Sequence, residues 1–253
     1  MSHPLPPHWL VPQWSAPAPV HAACSVRSGG VSQPPFDSLN LGGHVGDDPA
    51  AVAANRRRFA DALAARPVFL KQVHGAGVVE LQQGTPDGTE ADACWTTSSA
   101  LACTMMVADC LPVLLADRGG RVVGAAHCGW RGLAGGVLEA LVQAMAPHAG
   151  DAALIAWLGP CIGPAAFEVG PEVKAAFEAA QPGAAARFTP GAPGKWLADL
   201  PGLARDRLRA LGVADVTGND GSTAWCTVHE RSRFFSHRRD RLSGRFAAAV
   251  WRT

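Results

Sequence analysis

The chain has 253 residues, of which 48% are hydrophobic and 17% are charged, proportions typical of a globular protein with a sizeable core. Its formal net charge of +1 gives no overall field for nucleic acid, so we expect no nucleic-acid partner. The seven cysteines are odd in number and form no closely spaced pair, which favours a reducing compartment over a disulfide framework.

The first 20 residues form a proline-rich lead that cannot be helical, with prolines at positions 4, 6, 7, 12, 17 and 19. The lead has neither a basic start nor an unbroken apolar stretch, so it does not resemble a secretory signal. No apolar run approaches the roughly 18 residues that a membrane span needs. We therefore predict a cytoplasmic protein without a membrane partner, made of the lead (residues 1–20) and one domain (residues 21–253).

Short apolar runs alternate with helical patterns along the rest of the chain, and no linker interrupts them. This alternation predicts one mixed α/β domain. Asp48 is expected to cap the first helix with Pro49 at its first position, and helical spacing places Asn55 away from the apolar face. The predicted helices are 49–63, 133–145, 171–180 and 200–211, and the predicted strands are 22–27, 67–70, 78–81, 91–93, 101–107, 112–116, 121–126, 154–158, 213–217 and 244–252.

A long loop, residues 34–48, separates the first strand from the first helix and is rich in glycine. Loops of this length and composition often carry function, although a plain connector remains an alternative. We therefore treat the loop as a candidate part of a site.

Three residues of metal-ligand type lie at the ends of three separate apolar runs, namely His74, Cys110 and His127. Structural zinc sites usually take closely spaced ligand pairs, whereas single ligands from separate strand ends suit a preformed site on a rigid scaffold. Two imidazoles and one thiolate leave a tetrahedral ion one open position, as in catalytic zinc sites, and the same donors could bind Cu²⁺. The pattern leaves open a buried structural Cys110, or a Cys110–His127 nucleophile pair without metal.

Two further segments point to an anion. The sequence Gly129-Trp130-Arg131-Gly132 is predicted to open a helix directly after His127, where backbone N–H groups and Arg131 could hold a phosphate or carboxylate. The alternative is that Arg131 pairs with a local acid. The segment His229–Arg241 interleaves arginines with two phenylalanines, which fits either an anion pocket or a basic surface loop, but is too short and isolated for a nucleic-acid surface.

Six motifs follow one another along the chain: Ser38–Gly42 with His44–Asp47, Gln72–Gly75, Ala108–Pro112, His127–Gly132, Gly159–Gly163 and Phe234–Asp240. In this order they resemble the bacterial multi-copper polyphenol oxidase-like family, also called the purine nucleoside phosphorylase or laccase-domain family. The resemblance extends from about Ala22 to Trp251. Two positions depart from the usual pattern, since Cys128 stands where alanine is common and His237 where tyrosine is common.

The resemblance implies a single α/β domain built as a four-layer α/β/β/α sandwich with mixed sheets. It also implies a zinc site of two histidines and one cysteine, which map onto His74, Cys110 and His127. Members of the family are described as phosphorolysing adenosine, inosine and methylthioadenosine, and as deaminating adenosine. Others have been named copper-dependent phenol oxidases, and one branch is linked to the editing of peptidoglycan precursors.

We therefore predict a monomeric, zinc-dependent purine nucleoside phosphorylase, with adenosine deamination as a second activity and residues 21–253 as the catalytic domain. Its partners would be a small purine nucleoside and phosphate. The catalytic residues would be the three metal ligands and Asp109, although Asp109 could act only by orienting its neighbours. Phosphate would bind Arg131 and Arg238, and the ribose or base would contact Asn40 and His44.

Three other functions stay open at this point. The first is a copper-dependent, laccase-like polyphenol oxidase. The second is a thiol hydrolase that uses Cys110 and His127 on a peptidoglycan precursor. The third is a non-enzymatic binding protein stabilised by zinc.

Overall fold

Two facing β-sheets form the middle of the fold in the computed structural model, which describes residues 5–253. Residues 1–4 of the predicted lead lie outside this part of the chain. The strands are β1 (Val20–Cys24), β2 (Arg66–Phe69), β3 (Val78–Glu80), β4 (Ala93–Thr96), β5 (Leu101–Val107), β6 (Leu111–Asp117), β7 (Val123–Cys128), β8 (Leu154–Leu158), β9 (Glu168–Val169), β10 (Phe188–Pro190), β11 (Trp196–Ala198), β12 (Asp215–Gly218) and β13 (Phe246–Arg252). The helices are α1 (Pro49–Leu63), α2 (Trp130–Ala134), α3 (Val137–Ala149), α4 (Pro171–Ala180), α5 (Leu200–Ala210) and α6 (His237–Asp240).

Both large sheets are mixed. The first has the order β1-β13-β5-β2, in which only β2 and β5 run parallel. The second has the order β12-β8-β6-β7-β4-β3, with antiparallel strands at its centre and a parallel pair at each edge. A small antiparallel sheet, β10-β11-β9, lies beside them.

The layers follow the order helix, sheet, sheet, helix. Strands β5 and β13 of the first sheet face β6 and β7 of the second, while α1 packs outside the first sheet and α3 and α5 pack outside the second. Every residue of β5, β6 and β7 is buried. Continuous apolar runs of this kind arise because these strands are covered on both faces. The predicted four-layer α/β/β/α sandwich is therefore confirmed.

The helix starts predicted from proline and aspartate are confirmed. The Asp48 carboxylate accepts a hydrogen bond of 3.0 Å from the Ala50 N–H, and the Asp199 carboxylate accepts one of 2.9 Å from the Gly202 N–H. Each side chain satisfies a backbone donor that the first helical turn leaves without a partner.

The helix predicted over residues 133–145 is wrong in its extent. The chain instead forms α2 and α3, separated by Gly135 and Gly136, and Gly136 adopts a left-handed φ of +92°. Glycine adopts this conformation at little cost, so the break falls where the sequence permits it. Strands β9, β10 and β11 are not predictable from the sequence, because strands of two or three residues are too short for a periodic pattern.

The described part of the proline-rich lead packs against the first sheet. Trp9 is buried and its ring lies 5.3 Å from that of Phe59 on α1. Leu10 and Cys24 exchange backbone hydrogen bonds of 2.9 and 2.8 Å. Within residues 5–253, no helix combines the length and the apolar character that crossing a bilayer requires.

Asn55 corrects the prediction for the face of α1, because its side chain is fully buried. Its Nδ2 donates to Ser32 Oγ and to the Asn40 carbonyl, each at 2.9 Å, and its Oδ1 accepts from the Val31 N–H at 2.9 Å. Helical spacing could not reveal this role because the partners lie in the preceding loop. Asn55 thus fastens the long loop to the helix that follows it.

Replacing Asn55 with alanine is expected to lower the free energy of unfolding by about 2 to 4 kcal/mol, since several buried polar groups of the loop lose their partner. Urea denaturation would measure the loss. Arg57→Ala, on the exposed side of the same helix, is the control and should change stability by about 0.5 kcal/mol or less. Equal effects of the two substitutions would contradict the role of Asn55.

Candidate metal centre and its cavity

The structure brings the three predicted metal ligands together. His74 follows β2, Cys110 lies in the turn between β5 and β6, and His127 lies in β7. Their ligand atoms are within 4.8 Å of one another, and Cys110 Sγ is 3.7 Å from His74 Nε2. The two imidazole rings meet edge to face, with centroids 4.8 Å apart.

The chemistry of these donors fits a metal ion. Zinc in proteins takes thiolate and imidazole ligands, and three of them leave a tetrahedral ion one further position. Burial alone would raise the pKa of the Cys110 thiol, but the charge of His127 and hydrogen bonds from both histidines outweigh it and lower the pKa to about 6. Because metals bind the thiolate, this shift favours ligation at neutral pH. The same donors also suit Cu²⁺.

His127 is nearly buried and forms the charged partner of this thiolate. Burial opposes its protonation, but the Cys110 thiolate and the hydrogen bond that His127 donates to Asp92 raise the pKa of His127 to about 9. In the absence of a metal, both shifts favour a Cys110 thiolate beside a protonated His127. Ligation by His127 would release its proton.

Asp92 organises two of the three ligands. Its Oδ1 lies 2.9 Å from His127 Nδ1, which leaves Nε2 as the nitrogen that can face a metal. The same carboxylate accepts backbone N–H bonds from Val73 at 3.2 Å, His74 at 2.9 Å and Gly75 at 2.7 Å. His74 has a left-handed φ of +62°, so these bonds hold a strained turn in place.

From the sequence, Asp92 is expected only as part of a strand. Its carboxylate is completely buried, which would raise its pKa, but the bonds from His127 and from the backbone of Gly75 and Val73 outweigh burial and lower the pKa. The one available signal is a single aspartate between two alanines in an apolar stretch. A carboxylate buried there needs several hydrogen-bond donors around it, so its position indicates a structural role.

Glycines 129 and 132 allow the backbone to approach the ligands. A Cβ at Gly129 would lie 2.7 Å from His74 Cδ2 and 3.1 Å from Cys110 Sγ. A Cβ at Gly132 would lie 2.6 Å from the Gly75 carbonyl oxygen. Both glycines are therefore required by close packing. Helix α2, which begins directly after Gly129, has only five residues. We therefore assign the positive charge at this place to Arg131 and not to the start of the helix.

A cavity of about 390 Å³ opens beside the three ligands. Its size suits a small organic ligand. The polar lining is strongly basic, with one carboxylate among the described lining residues. It comprises His44, Gln72, His74, Asp109, Cys110, His127, Arg131, His237, Arg238, Arg241 and Arg245.

Two predicted phosphate-binding residues line this cavity. The guanidinium of Arg131 lies 4.4 Å from the centre of the Trp130 ring, and no acidic side chain between residues 5 and 253 pairs with it. The guanidinium of Arg238 lies 5.5 Å from the Phe167 ring, and its Nη1 donates to the Glu168 carbonyl at 3.1 Å. Both arginines keep donors for an anion.

Asp109 lines the cavity, but both of its oxygens already accept hydrogen bonds. Thr227 Oγ1 donates to Oδ1 and the Arg238 backbone N–H donates to Oδ2, each at 2.6 Å. Its φ of +91° places it in a left-handed turn directly before Cys110. This geometry gives Asp109 a role in holding the turn and the arginine segment together.

Asn40 does not reach the cavity lining, contrary to its predicted contact with ribose or base. It is fully buried, and its amide bonds to Gly42, to Asp47 and to the Arg245 N–H. His44, four residues later, does line the cavity. Partial burial and the charges of Arg245 and Arg56 lower the pKa of His44.

The structure adds three cationic or titratable residues that sequence reasoning did not place at the site: His237, Arg241 and Arg245. His237 and Arg241 belong to the arginine-rich segment, whose two interpretations could not be separated without the fold. Arg245 lies beyond that segment, and no sequence signal marked it. Cys128 lies elsewhere, buried in the core between the second sheet and its helices. Burial raises the pKa of Cys128, so it does not extend the ligand set.

The chain matches the family model described as multi-copper polyphenol oxidoreductase laccase over residues 21–253. The chain belongs to this family. Among curated members, a purine nucleoside phosphorylase of Pseudomonas aeruginosa is 54% identical over 244 residues, covering 96% of this chain and 98% of that protein. The purine nucleoside phosphorylase YfiH of Escherichia coli is 48% identical, also covering 96% and 98%.

Solved structures of this laccase family share the fold. A Neisseria meningitidis protein is 45% identical with a TM-score of 0.90, covering 97% of this chain and 99% of its own. YlmD of Geobacillus stearothermophilus is 33% identical with a TM-score of 0.84, covering 93% and 92%. The family and the sandwich fold expected from the six motifs are therefore confirmed.

Replacing Asp92 with asparagine is expected to weaken zinc binding by about 10- to 100-fold. An amide has one acceptor oxygen in place of two, so its NH₂ group would face backbone N–H donors. Competition with a chromogenic chelator would measure the affinity.

Glu90→Gln is the matched control, because Glu90 forms only an exposed ion pair with Lys71. It should bind zinc as the unmodified chain does. Unchanged affinity of the Asp92 variant would show that Asp92 does not support the ligands.

Proposed function

We propose that the protein is a zinc-dependent purine nucleoside phosphorylase acting on adenosine, inosine and methylthioadenosine. The observation that carries this proposal is the basic cavity beside the His74–Cys110–His127 group, which offers sites for a metal and for phosphate together. The curated relatives named purine nucleoside phosphorylase support the same substrate class.

In this reaction an oxygen of hydrogenphosphate forms a bond to C1′ of the nucleoside while the bond from C1′ to the base breaks. The base leaves with the bonding electrons and ends with the proton of hydrogenphosphate, and the other product is ribose 1-phosphate. Arg131 and Arg238 would orient the phosphate by charge-assisted hydrogen bonds. Bound through His74, Cys110 and His127, zinc would supply a Lewis acid at the cavity.

Asp109 acts in this proposal by position and not by proton transfer. Its carboxylate fixes the backbone of Arg238 and the turn that carries Cys110. Asp109 therefore holds Arg238, assigned to phosphate, and Cys110, assigned to the metal, at fixed positions relative to each other. Trp130 and Phe167 offer aromatic surface on which a purine could stack.

Adenosine deamination is a second candidate activity, favoured because the metal centre opens directly into the same cavity. Copper-dependent phenol oxidation ranks below both. Within residues 5–253, one group of side chains has metal-centre geometry, whereas a multi-copper centre gathers several ions. We further propose a cytoplasmic monomer with residues 21–253 as the catalytic unit, and the seven free cysteines suit a reducing compartment.

Zinc-loaded protein incubated with inosine and phosphate is expected to release hypoxanthine and ribose 1-phosphate. A panel of purine nucleosides, assayed by chromatography with and without phosphate, separates phosphorolysis from deamination, because only phosphorolysis requires phosphate. Chelation should abolish turnover, whereas a Cys110–His127 thiol hydrolase would survive it. Failure to convert any purine nucleoside would overturn the proposal.

Replacing Arg131 with methionine is expected to raise the KM for phosphate by about 10- to 100-fold, the effect of losing a charge-assisted hydrogen bond. The KM for the nucleoside should change less, because Arg131 is assigned to phosphate. Steady-state kinetics with each substrate varied in turn would measure both.

Arg209→Met on the exposed end of α5 controls for the loss of one positive charge and should leave both constants unchanged. An unaltered KM for phosphate in the Arg131 variant would remove Arg131 from the phosphate site.

A further inference from the structure

The cavity carries more positive charge than one phosphate needs. Four arginines line it, and the carboxylate of Asp109 is already engaged by Thr227 Oγ1 and the Arg238 N–H. A phosphate group carries a charge of about −1.5 to −2 at neutral pH. With a divalent metal at the Cys110 thiolate, one bound phosphate would still leave an excess of positive charge, so a second anionic group can be accommodated.

Three of these arginines are held by separate anchors. Arg131 stacks on Trp130, and Arg238 is held over Phe167 with Nη1 on the Glu168 carbonyl. The Nη1 of Arg245 donates to the carbonyls of Ser243 and Gly244, at 2.9 and 3.0 Å. Each guanidinium keeps further N–H groups for a ligand.

Arg131 and Arg245 lie next to strands of different sheets. Arg131 follows β7 of the second sheet, whereas Arg245 directly precedes β13 of the first sheet. The two charges therefore enter the cavity from the two halves of the sandwich. This arrangement suits a ligand with anionic groups at two places.

The position of Arg245 is built by buried groups. Its backbone N–H donates to Asn40 Oδ1 at 2.8 Å, and Asn40 is completely buried. A Cβ at Gly42 would lie 2.7 Å from Arg245 Cγ, so glycine at that position makes room for the side chain. Asn40 thus fixes the position of Arg245 at the cavity and does not contact a ligand itself.

His44 adds a hydrogen-bonding side chain near Arg245. It lies in the same loop as Asn40 and lines the same cavity. Its imidazole can donate a hydrogen bond to an anion in either protonation state, since a neutral histidine keeps one N–H. Arg245 and His44 together form what we term the second anion subsite.

We infer that the second anion subsite binds the phosphate ester of a nucleoside 5′-monophosphate, so that the cavity takes the nucleotide more tightly than the nucleoside. This inference rests on the proposed function, because it places the nucleoside in the same cavity. Phosphorolysis of adenosine 5′-monophosphate would form the bond from a hydrogenphosphate oxygen to C1′ and break the bond to adenine. Adenine would take the hydrogenphosphate proton, and the second product would be ribose 1,5-bisphosphate.

Isothermal titration calorimetry of the zinc-loaded, full-length protein would test the inference. We expect adenosine 5′-monophosphate to bind at least about tenfold more tightly than adenosine, which is about 1.4 kcal/mol. The preference should persist in saturating inorganic phosphate, compared with sodium chloride at equal ionic strength. Loss of the preference in phosphate would mean that the ester phosphate uses the single phosphate site, and would overturn the inference.

Substitutions at Arg245 locate the subsite. Arg245→Met should reduce the ratio of nucleotide to nucleoside affinity to about twofold or less, whereas Arg209→Met should keep it at about tenfold. Thermal unfolding of both variants would verify that they fold. Arg245→Lys, which retains the charge and the packing of the stem, should keep part of the preference and serves if the methionine variant is unstable.

A parallel phosphorolysis assay with adenosine separates the two proposals. Turnover of adenosine with equal binding of nucleotide and nucleoside would overturn the second subsite and leave the proposed function intact. Tighter nucleotide binding that depends on Arg245, without any turnover, would support the subsite and contradict the phosphorylase proposal. A preference that is unchanged in the Arg245 variants would assign the ester phosphate elsewhere and overturn the inference.

Discussion

The hydrogen bonds of the buried Asp92 carboxylate are the interactions on which the candidate metal centre depends. The carboxylate accepts bonds from the backbone of three consecutive residues, including His74, and also holds the His127 ring. One side chain therefore fixes the turn of one ligand and the orientation of another. A carboxylate can remain ionised when buried in this way only because several hydrogen-bond donors surround it. The ligands are positioned before any ion arrives, as a site on a rigid scaffold requires.

The junction of the two sheets explains why the centre forms at this place in the fold. Cys110 lies in the connection from β5 in the first sheet to β6 in the second, while His74 follows a strand of the first sheet and His127 lies within the second. The left-handed turn at Asp109 makes that crossing, and its carboxylate ties it to Thr227 and Arg238. Strain in the turn is therefore offset by bonds to the same segment that lines the cavity. A metal held here would join the two halves of the sandwich.

The sequence permits prediction of groups whose chemistry is visible in the residue type. This class includes the thiol and the two imidazoles at strand ends, the aspartate caps and the buried strands. The six motifs additionally predict the family and, through it, the four-layer fold. Asp92, Asn55 and Asn40 do not belong to this class, because the role of a buried amide or carboxylate depends on which donors the fold brings to it. Asn40 shows the limit best. Its loop does serve the cavity, but through Arg245, whose backbone lies 205 residues away along the chain.

The basic lining of this cavity distinguishes it from the site that a copper oxidase needs. Three ligands suit either zinc or copper, so the ligand set alone does not select a reaction. Cys128, the unusual neighbour of His127, points into the helix-covered core and adds no donor. What distinguishes the cavity is the set of arginines fixed by Trp130, by Phe167 and by the loop of Asn40. Fixed guanidinium groups stabilise anions and contribute nothing to electron transfer, so the surroundings of the three ligands favour the proposed phosphate-dependent reaction over oxidation.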